Sequence, residues 1–275
     1  MHASQIYIYA LVQGITELFP ISSVGHAVIL PYLFHWTHIS GSKVFLPFIV
    51  MLHLGTALAL LIYFWRDWVD LISSLWLKKP RERRILGLIV VATIPAAIVG
   101  KLLQHKFEEL FPNALSASLF LIVNGFVLFL ADRLRRRRTT KEVPQISYVQ
   151  SFFIGLVQAF ALIPGFSRSG ITMTAGLGTG LSYEESARFS FLLATPIIAG
   201  AGILEVPKIL KSHSTQMLHL GLVGGLLAGI VAFLSTAFLM RYFRTHEVKA
   251  LRPFAWYCIG VGAIVAVMAS FNLYF

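Results

Sequence analysis

Apolar residues in this chain come in long unbroken runs, with little of the short-period alternation of a soluble fold. Six runs, near 44–65, 85–104, 115–131, 187–206, 216–240 and 254–275, are long enough, or nearly so, to cross a hydrocarbon core about 30 Å thick as helices. The pattern predicts an all-α polytopic membrane protein, with residues 1–275 forming one integral membrane domain. Four shorter segments do not fit that scheme. Residues 4–18 and 24–35 flank Phe19-Pro20-Ile21-Ser22-Ser23, and 148–162 and 169–180 flank Pro164-Gly165-Phe166-Ser167-Arg168. Each segment is short for a crossing, and each pair is interrupted by Pro or Gly. Broken backbone at membrane depth is tolerated only where protein or a wet cavity surrounds it. Both pairs therefore read as re-entrant helical hairpins that return to the side they came from.

The two hairpins are related. Leu11-Val12-Gln13 matches Leu156-Val157-Gln158 at an offset of 145 residues, and the same offset aligns Ser22 with Ser167 and Gly25 with Gly170. Each half then reads as one hairpin followed by three spans, with repeat one over about 1–135 and repeat two over about 146–275. Three crossings is an odd number, so the second copy should be inverted relative to the first, an arrangement that brings broken helices together near the bilayer midplane.

Charge fixes the expected orientation. Charged residues make up 13% of the chain, about half of what a soluble domain carries. Of 23 Lys and Arg, six lie in 66–84, six in 133–141 and four in 241–252. Alternation of basic-rich and basic-poor loops is the positive-inside pattern. It places those three connections in the cytoplasm and both termini outside the plasma membrane, with Arg135 to Arg138 as a topology signal. The net charge of +11 therefore implies no nucleic-acid partner, which would need the basic groups gathered on one exposed surface. The single cysteine, Cys258, permits no intramolecular disulfide. The N-terminus lacks the basic n-region of a signal peptide, so internal spans are expected to direct insertion.

The hairpin tips carry the candidate chemistry. Gln13 and Glu17 share a helix face at i, i+4. Ser22 or Ser23 can cap the helix starting near Val24, whose first turn holds His26. Any one of these alone fits a capped helix, a hydrogen-bonded histidine or a carboxylate turned to water. Together they set a carboxylate, two hydroxyls and an imidazole inside an apolar segment, and ionisable groups there mark functional sites. The second tip adds Ser167, Arg168 and Ser169. Arginine suits a bidentate grip on phosphate, and both tips place a helix N-terminus after the turn, where free N–H groups and the dipole favour anions. An arginine and two helix ends make a phosphate cradle, and the groups beside it suggest hydrolysis as well as binding. His53, on an apolar run, reads as a core histidine; Glu184, Glu185 and Arg188 read as the polar start of a helix with local pairs.

The runs Gly14-Ile15-Thr16-Glu17-Leu18-Phe19-Pro20-Ile21-Ser22-Ser23-Val24-Gly25-His26 and Pro164-Gly165-Phe166-Ser167-Arg168-Ser169-Gly170 closely resemble the two signatures of the undecaprenyl-diphosphate phosphatase (bacitracin-resistance) family. The stretch from Glu185 to Pro196 looks like a third family segment. The resemblance implies an inverted repeat with an outward-opening site that removes the terminal phosphate of undecaprenyl diphosphate. That reaction regenerates the carrier lipid for peptidoglycan synthesis, usually with a divalent cation such as Mg²⁺. Position by position, Glu17 matches the essential carboxylate, Ser23 the nucleophile, His26 the histidine and Arg168 the phosphate-binding arginine. Ser22, Ser167 and Ser169 match supporting hydroxyls, and Gly25 and Gly170 complete the phosphate turns. The chain departs from the family at Gln13, Val24 and Ile49, where Glu, Thr and an acidic residue are common. Metal ligation would fall to Glu17 and Gln13.

The mechanism expected on these grounds is attack by Ser23 with His26 handling its proton and Glu17 orienting His26 or holding a metal. His26 as nucleophile is the other option. The partner is a polyprenyl diphosphate lipid in the bilayer, and a homodimer is compatible with the pattern. The main alternative is a transporter or flippase of a phosphorylated polyprenyl lipid, because paired hairpins also serve alternating access. A phosphatidic-acid-type phosphatase would need a histidine five residues after Ser167-Arg168, where this chain has Thr172-Met173-Thr174.

Overall fold

The computed structural model describes residues 3–36, 45–110, 113–135, 141–211, 215–246, 248–271 and 273. The basic run Arg136, Arg137 and Arg138 lies outside the described residues. The first half comprises α1 (Ala3–Thr16), α2 (Ser23–Leu33), α3 (Phe45–Tyr63), α4 (Trp65–Ser73), α5 (Pro80–Leu110) and α6 (Ala114–Arg135). The second comprises α7 (Tyr148–Gln158), a 3-10 turn (Ala159–Leu162), α8 (Arg168–Gly178), α9 (Tyr183–Lys211), α10 (Thr215–Thr245) and α11 (Arg252–Ser270). Both hairpins are present, as α1–α2 and α7–α8.

Among the described residues five helices are long and apolar enough to cross a membrane, or six when the pair 48–63 and 65–73 counts as one bent span. That pair bends by 75° at Phe64, a break the apolar run 44–65 did not predict. Its second arm, α4, mixes Trp65, Trp68 and Ile72 with Arg66, Asp67 and Asp70, the composition of a helix lying at a membrane interface, where tryptophan collects.

Packing follows small residues on one face and bulky apolar ones on the other. On α10, Leu222, Leu226, Ile230, Leu234 and Phe238 form an exposed stripe at i, i+4 spacing, the surface a lipid-facing helix presents. On the other side Gly221, Gly225 and Gly229 meet α3 so closely that a Cβ on Gly55 would lie 1.9 Å from the Gly225 carbonyl oxygen. Small residues at every fourth position are how membrane helices bring backbones together. In the same manner a Cβ on Gly155 of α7 would lie 2.1 Å from the Ala92 carbonyl oxygen of α5.

The 145-residue offset pairs α1 with α7, α2 with α8, α3 with α9, α5 with α10 and α6 with α11. Exchanging the halves turns the α1–α10 contact into the α7–α5 contact and α3–α10 into α9–α5, while α3–α9 and α6–α11 map onto themselves.

One end of the molecule gathers the basic connections. Arg81 pairs with Glu142, Arg84 donates to the carbonyls of Pro144 and Ile146, Arg188 pairs with Asp67, and Arg252 Nε donates to Asp132 at 2.8 Å. Hairpin two opens toward this end, where the Lys141 N–H donates to the Gly180 carbonyl. Hairpin one opens against the C-terminal end of α11: Tyr32 Oη donates to the carbonyls of Met268 and Leu273.

Candidate active site

The two tips touch inside the bundle. A Cβ on Gly25 would lie 3.1 Å from the Gly165 backbone, so any larger residue there must push the tips apart by a few tenths of an ångström. Gly165 also has φ +105°, where a side chain is strained, and a Cβ there would strike the Ala117 carbonyl at 2.3 Å. Each tip is closed by the same device: Ser22 Oγ accepts from the Gly25 N–H and Ser167 Oγ from the Gly170 N–H, both at 3.1 Å. Asn124 of α6, fully buried, ties the tips to each other. Its Nδ2 donates to the Pro20 carbonyl and its Oδ1 accepts from the Ser167 N–H, each at 3.0 Å. The broken backbone of both hairpins, which must find partners at this depth, is thus served by one amide. Ser169 Oγ adds a bond from tip two to the Phe19 carbonyl.

Glu17, in the turn after α1, is the centre of the polar cluster. Its Oε2 accepts from Ser23 Oγ at 2.6 Å and Gln13 Nε2 at 3.0 Å, and His53 Nε2 lies 3.2 Å from the same oxygen. Its Oε1 accepts from Arg168 Nη2 at 3.0 Å. Arg168 is held from behind by the Ser190 carbonyl, to which Nη1 donates at 3.1 Å. His53 Nδ1 faces the Ile49 carbonyl at 2.8 Å. A carbonyl oxygen only accepts, so Nδ1 carries hydrogen, and a proton must also lie between Nε2 and Glu17. His53 and Glu17 therefore share a proton next to the Ser23 hydroxyl.

A cavity of about 580 Å³ opens over this cluster. Glu17, Ser23, His53, Gln158, Ser167 and Arg168 form its polar wall; Ala96, Ala97 and Gly100 of α5 and Ile197, Ile198 and Ala201 of α9 form an apolar one. These stretches of α5 and α9 are remote from the basic end, where both helices begin. Lys101 stands exposed on the same wall.

Of the residues expected from the sequence, Glu17, Ser23, Ser167 and Arg168 line the cavity together. Gln13 reaches it through Glu17, while Ser22, Gly25, Ser169, Gly170 and His26 are buried and spent on shaping the tips. The expected pairing of Glu17 with His26 is not what the structure has. His26 Nδ1 donates to the Ser22 carbonyl at 2.7 Å and Nε2 meets the Tyr257 hydroxyl at 2.8 Å, their rings stacked. Both nitrogens are occupied by groups other than Ser23 and Glu17. The imidazole beside the carboxylate is His53, read from sequence as a core histidine. Asn124 carries no motif, and Ser190 lies in the third family segment without a role assigned from sequence. A lone asparagine in an apolar run was the available signal for the first. Glu185 and Arg188 turn out to reach beyond their helix, to the Val143 N–H and to Asp67.

A helical membrane protein with two helical hairpins meeting at a buried carboxylate, hydroxyl and arginine defines the class. The chain belongs to the family described as bacitracin resistance protein BacA, which matches residues 6–264. It is 46% identical over 270 residues to undecaprenyl-diphosphatase 2 of Chromobacterium violaceum, covering 96% of this chain and 98% of that one. It is 47% identical to the undecaprenyl-diphosphatase of Acidiphilium cryptum (96% and 97% covered) and 48% identical to that of Granulibacter bethesdensis (96% of each).

Proposed function

We propose that this protein hydrolyses undecaprenyl diphosphate to undecaprenyl phosphate and inorganic phosphate, recycling the lipid carrier of peptidoglycan synthesis. The observation that carries the reading is the contact set on one carboxylate: Ser23 Oγ at 2.6 Å on Oε2 of Glu17 and Arg168 at 3.0 Å on Oε1, at the wall of a largely apolar cavity. A nucleophile, its proton acceptor and a phosphate-binding cation are then within one hydrogen-bonded cluster. A cavity of this size takes a diphosphate and the first isoprene units along the α5 and α9 wall, leaving the rest of the tail in lipid.

In this mechanism Ser23 Oγ attacks the terminal phosphorus as its proton passes to Glu17. The bond from that phosphorus to the bridging oxygen breaks, and undecaprenyl phosphate leaves. Arg168 and the first N–H groups of α2 and α8 stabilise the charge on the transferring phosphoryl group. Water then attacks the phosphoserine, Glu17 returns its proton to Ser23 Oγ as the P–Oγ bond breaks, and inorganic phosphate departs as dihydrogen phosphate with the oxygen and both protons of the water. His53 holds its proton beside Glu17 and sets how readily the carboxylate takes another. His26 is a positioning residue that fixes the first turn of α2 against α11.

The donor set does not fit a resident Mg²⁺. Both oxygens of Glu17 are already taken by protein donors, Gln13 offers an amide, and among the described residues no group of three His, Cys, Asp or Glu side chains could hold a metal. Mg²⁺ sites built from one carboxylate usually borrow the remaining ligands from substrate phosphates. A divalent cation would then arrive with the diphosphate.

The repeats are read as inverted, since hairpin one opens against the end of α11 and hairpin two against the basic end. With the basic end cytoplasmic, the cavity faces outward and both termini are external. The test of the whole reading is phosphate release from undecaprenyl diphosphate by purified protein in detergent, where transport has no meaning. Ser23→Ala should abolish both turnover and a labelled phosphoenzyme; near-normal turnover would end the nucleophile assignment.

A further inference from the structure

One polar group on the cavity wall has no role in the chemistry above. Gln158, the last residue of α7, is 2% exposed and lines the cavity, yet neither Nε2 nor Oε1 has a hydrogen-bond partner among the described residues. Buried amides are nearly always satisfied, and each exception needs a reason. The repeat supplies one. Gln158 stands 145 residues after Gln13, whose amide donates to Glu17 four residues on. Four residues after Gln158 the chain has Leu162, which lines the same cavity. Hairpin two thus keeps the amide and lacks its internal acceptor, leaving a donor and an acceptor without partners at the edge of the space where the headgroup enters.

We propose that Gln158 binds the substrate, its amide donating to a non-bridging oxygen of the inner phosphate, the one that stays on the lipid. This rests on the reading of the cavity as the diphosphate site. The inner phosphate is favoured over the terminal one because Gln158 lies outside hydrogen-bonding reach of Glu17, Ser23 and Arg168, the groups around the reacting phosphorus. It also shares its stretch of wall with Ala96 and Ala97, along which the prenyl chain would run. A neutral amide suits a phosphate that must be held before reaction and released after it. Because that phosphate is common to substrate and product, Gln158 binds both equally, and such uniform binding appears in KM rather than kcat.

The experiment is steady-state phosphate release by Gln158→Leu and Gln158→Ala in detergent, with inhibition by undecaprenyl phosphate and by inorganic phosphate measured in parallel. The loss of one hydrogen bond should raise KM by roughly fivefold to tenfold, with kcat nearly unchanged. Inhibition by undecaprenyl phosphate should weaken by the same factor and inhibition by inorganic phosphate should not change. The Leu variant should melt no lower than the parent, because an orphan amide has been replaced by an apolar group of similar size. Unchanged KM and unchanged product inhibition would overturn the assignment, as would a lower melting temperature with kcat falling and KM constant. If Arg168→Lys and Ser23→Ala hydrolysed normally as well, the cavity would not be the active site, and this inference would fall with that reading. If those two are inactive and Gln158→Leu is normal, only the inference fails.

Discussion

The two hairpins share a backbone and carry different polar groups. Ser22 and Ser167 cap their helices at the same 3.1 Å, and a glutamine precedes each tip at the same position. The equivalent positions then diverge: Glu17 against Leu162, Ser23 against Arg168, His26 against Ile171, and beyond the hairpins His53 against Ile198. Where two copies of a repeat meet, a residue at the junction faces its own counterpart. A second carboxylate or a second guanidinium there would set like charges together in a poorly solvated site, which is costly. Divergence lets the junction hold a complementary set, with carboxylate, hydroxyl and imidazole from one half and the cation from the other.

The largest effects should come from substitutions that erase this division. Arg168→Lys keeps the charge but loses the planar fork that reaches Glu17 and the Ser190 carbonyl together. It should lower kcat/KM for undecaprenyl diphosphate by about a hundredfold or more. Ser23→Ala should fall further, to about a thousandth of the parent or below, given what nucleophile removal costs where a serine reacts. Phosphate-release kinetics measure both; survival of either within tenfold would mean the halves do not divide the work in this way.

Next in size is the contrast between His26 and His53. His53→Ala removes the proton partner of Glu17 and should cost about a hundredfold in kcat, within the range of general acid–base groups. His26→Gln keeps a donor for the Ser22 carbonyl and an acceptor for Tyr257, so it should cost only a few-fold. A reversal of that order in the same assay would restore His26 to the chemistry. Asn124→Ala should act mainly on stability. It leaves the Ser167 N–H buried without its partner, at about 1–3 kcal/mol, and the Pro20 carbonyl with only the long contact from Cys258 Sγ. The melting temperature in detergent should drop accordingly.

The hairpins and spans were legible because length and interruption are local properties. The segments 24–35 and 148–162 are observed as Ser23–Leu33 and as Tyr148–Gln158 continued by a 3-10 turn. The Gly/Ser motifs singled out Glu17, Ser23 and Arg168, which the structure brings together at one cavity, because a broken helix shows in sequence. His53 was not legible: it sits on an apolar helix whose side is chosen by the Gly55–Gly225 crossing, a contact between distant segments. The partner of His26, Tyr257, is 231 residues away, and no spacing rule reaches that far. The bend at Phe64 had a local signal in the mixed charge and tryptophan of 65–70, but the apolar run before it concealed where the span ends.

The smallest expected effect separates the tips themselves. A Cβ on Gly25 would meet Ser22 Oγ at 3.0 Å and the Gly165 backbone at 3.1 Å, whereas one on Gly170 would meet Ser167 Cβ at 3.1 Å, Leu128 Cδ2 at 3.2 Å and Asn124 Oδ1 at 3.3 Å. The Gly165 backbone is pinned by its φ of +105° and by α6 behind it, so Gly25→Ala must move one tip away from the other by a few tenths of an ångström. The nearest neighbour of a Cβ on Gly170, Ser167 Cβ, belongs to the same tip, and the Leu128 methyl can yield by a small rotation, so Gly170→Ala strains tip two internally without pushing directly on tip one. Misplacing reacting groups by about 1 Å costs on the order of a hundredfold; a shift of a few tenths should then cost Gly25→Ala about threefold to tenfold in kcat. Gly170→Ala should stay within about twofold on the same scale. Equal losses at both glycines would mean that the tips move as one body. The separation between Ser23 and Arg168 would then be set elsewhere, at Asn124.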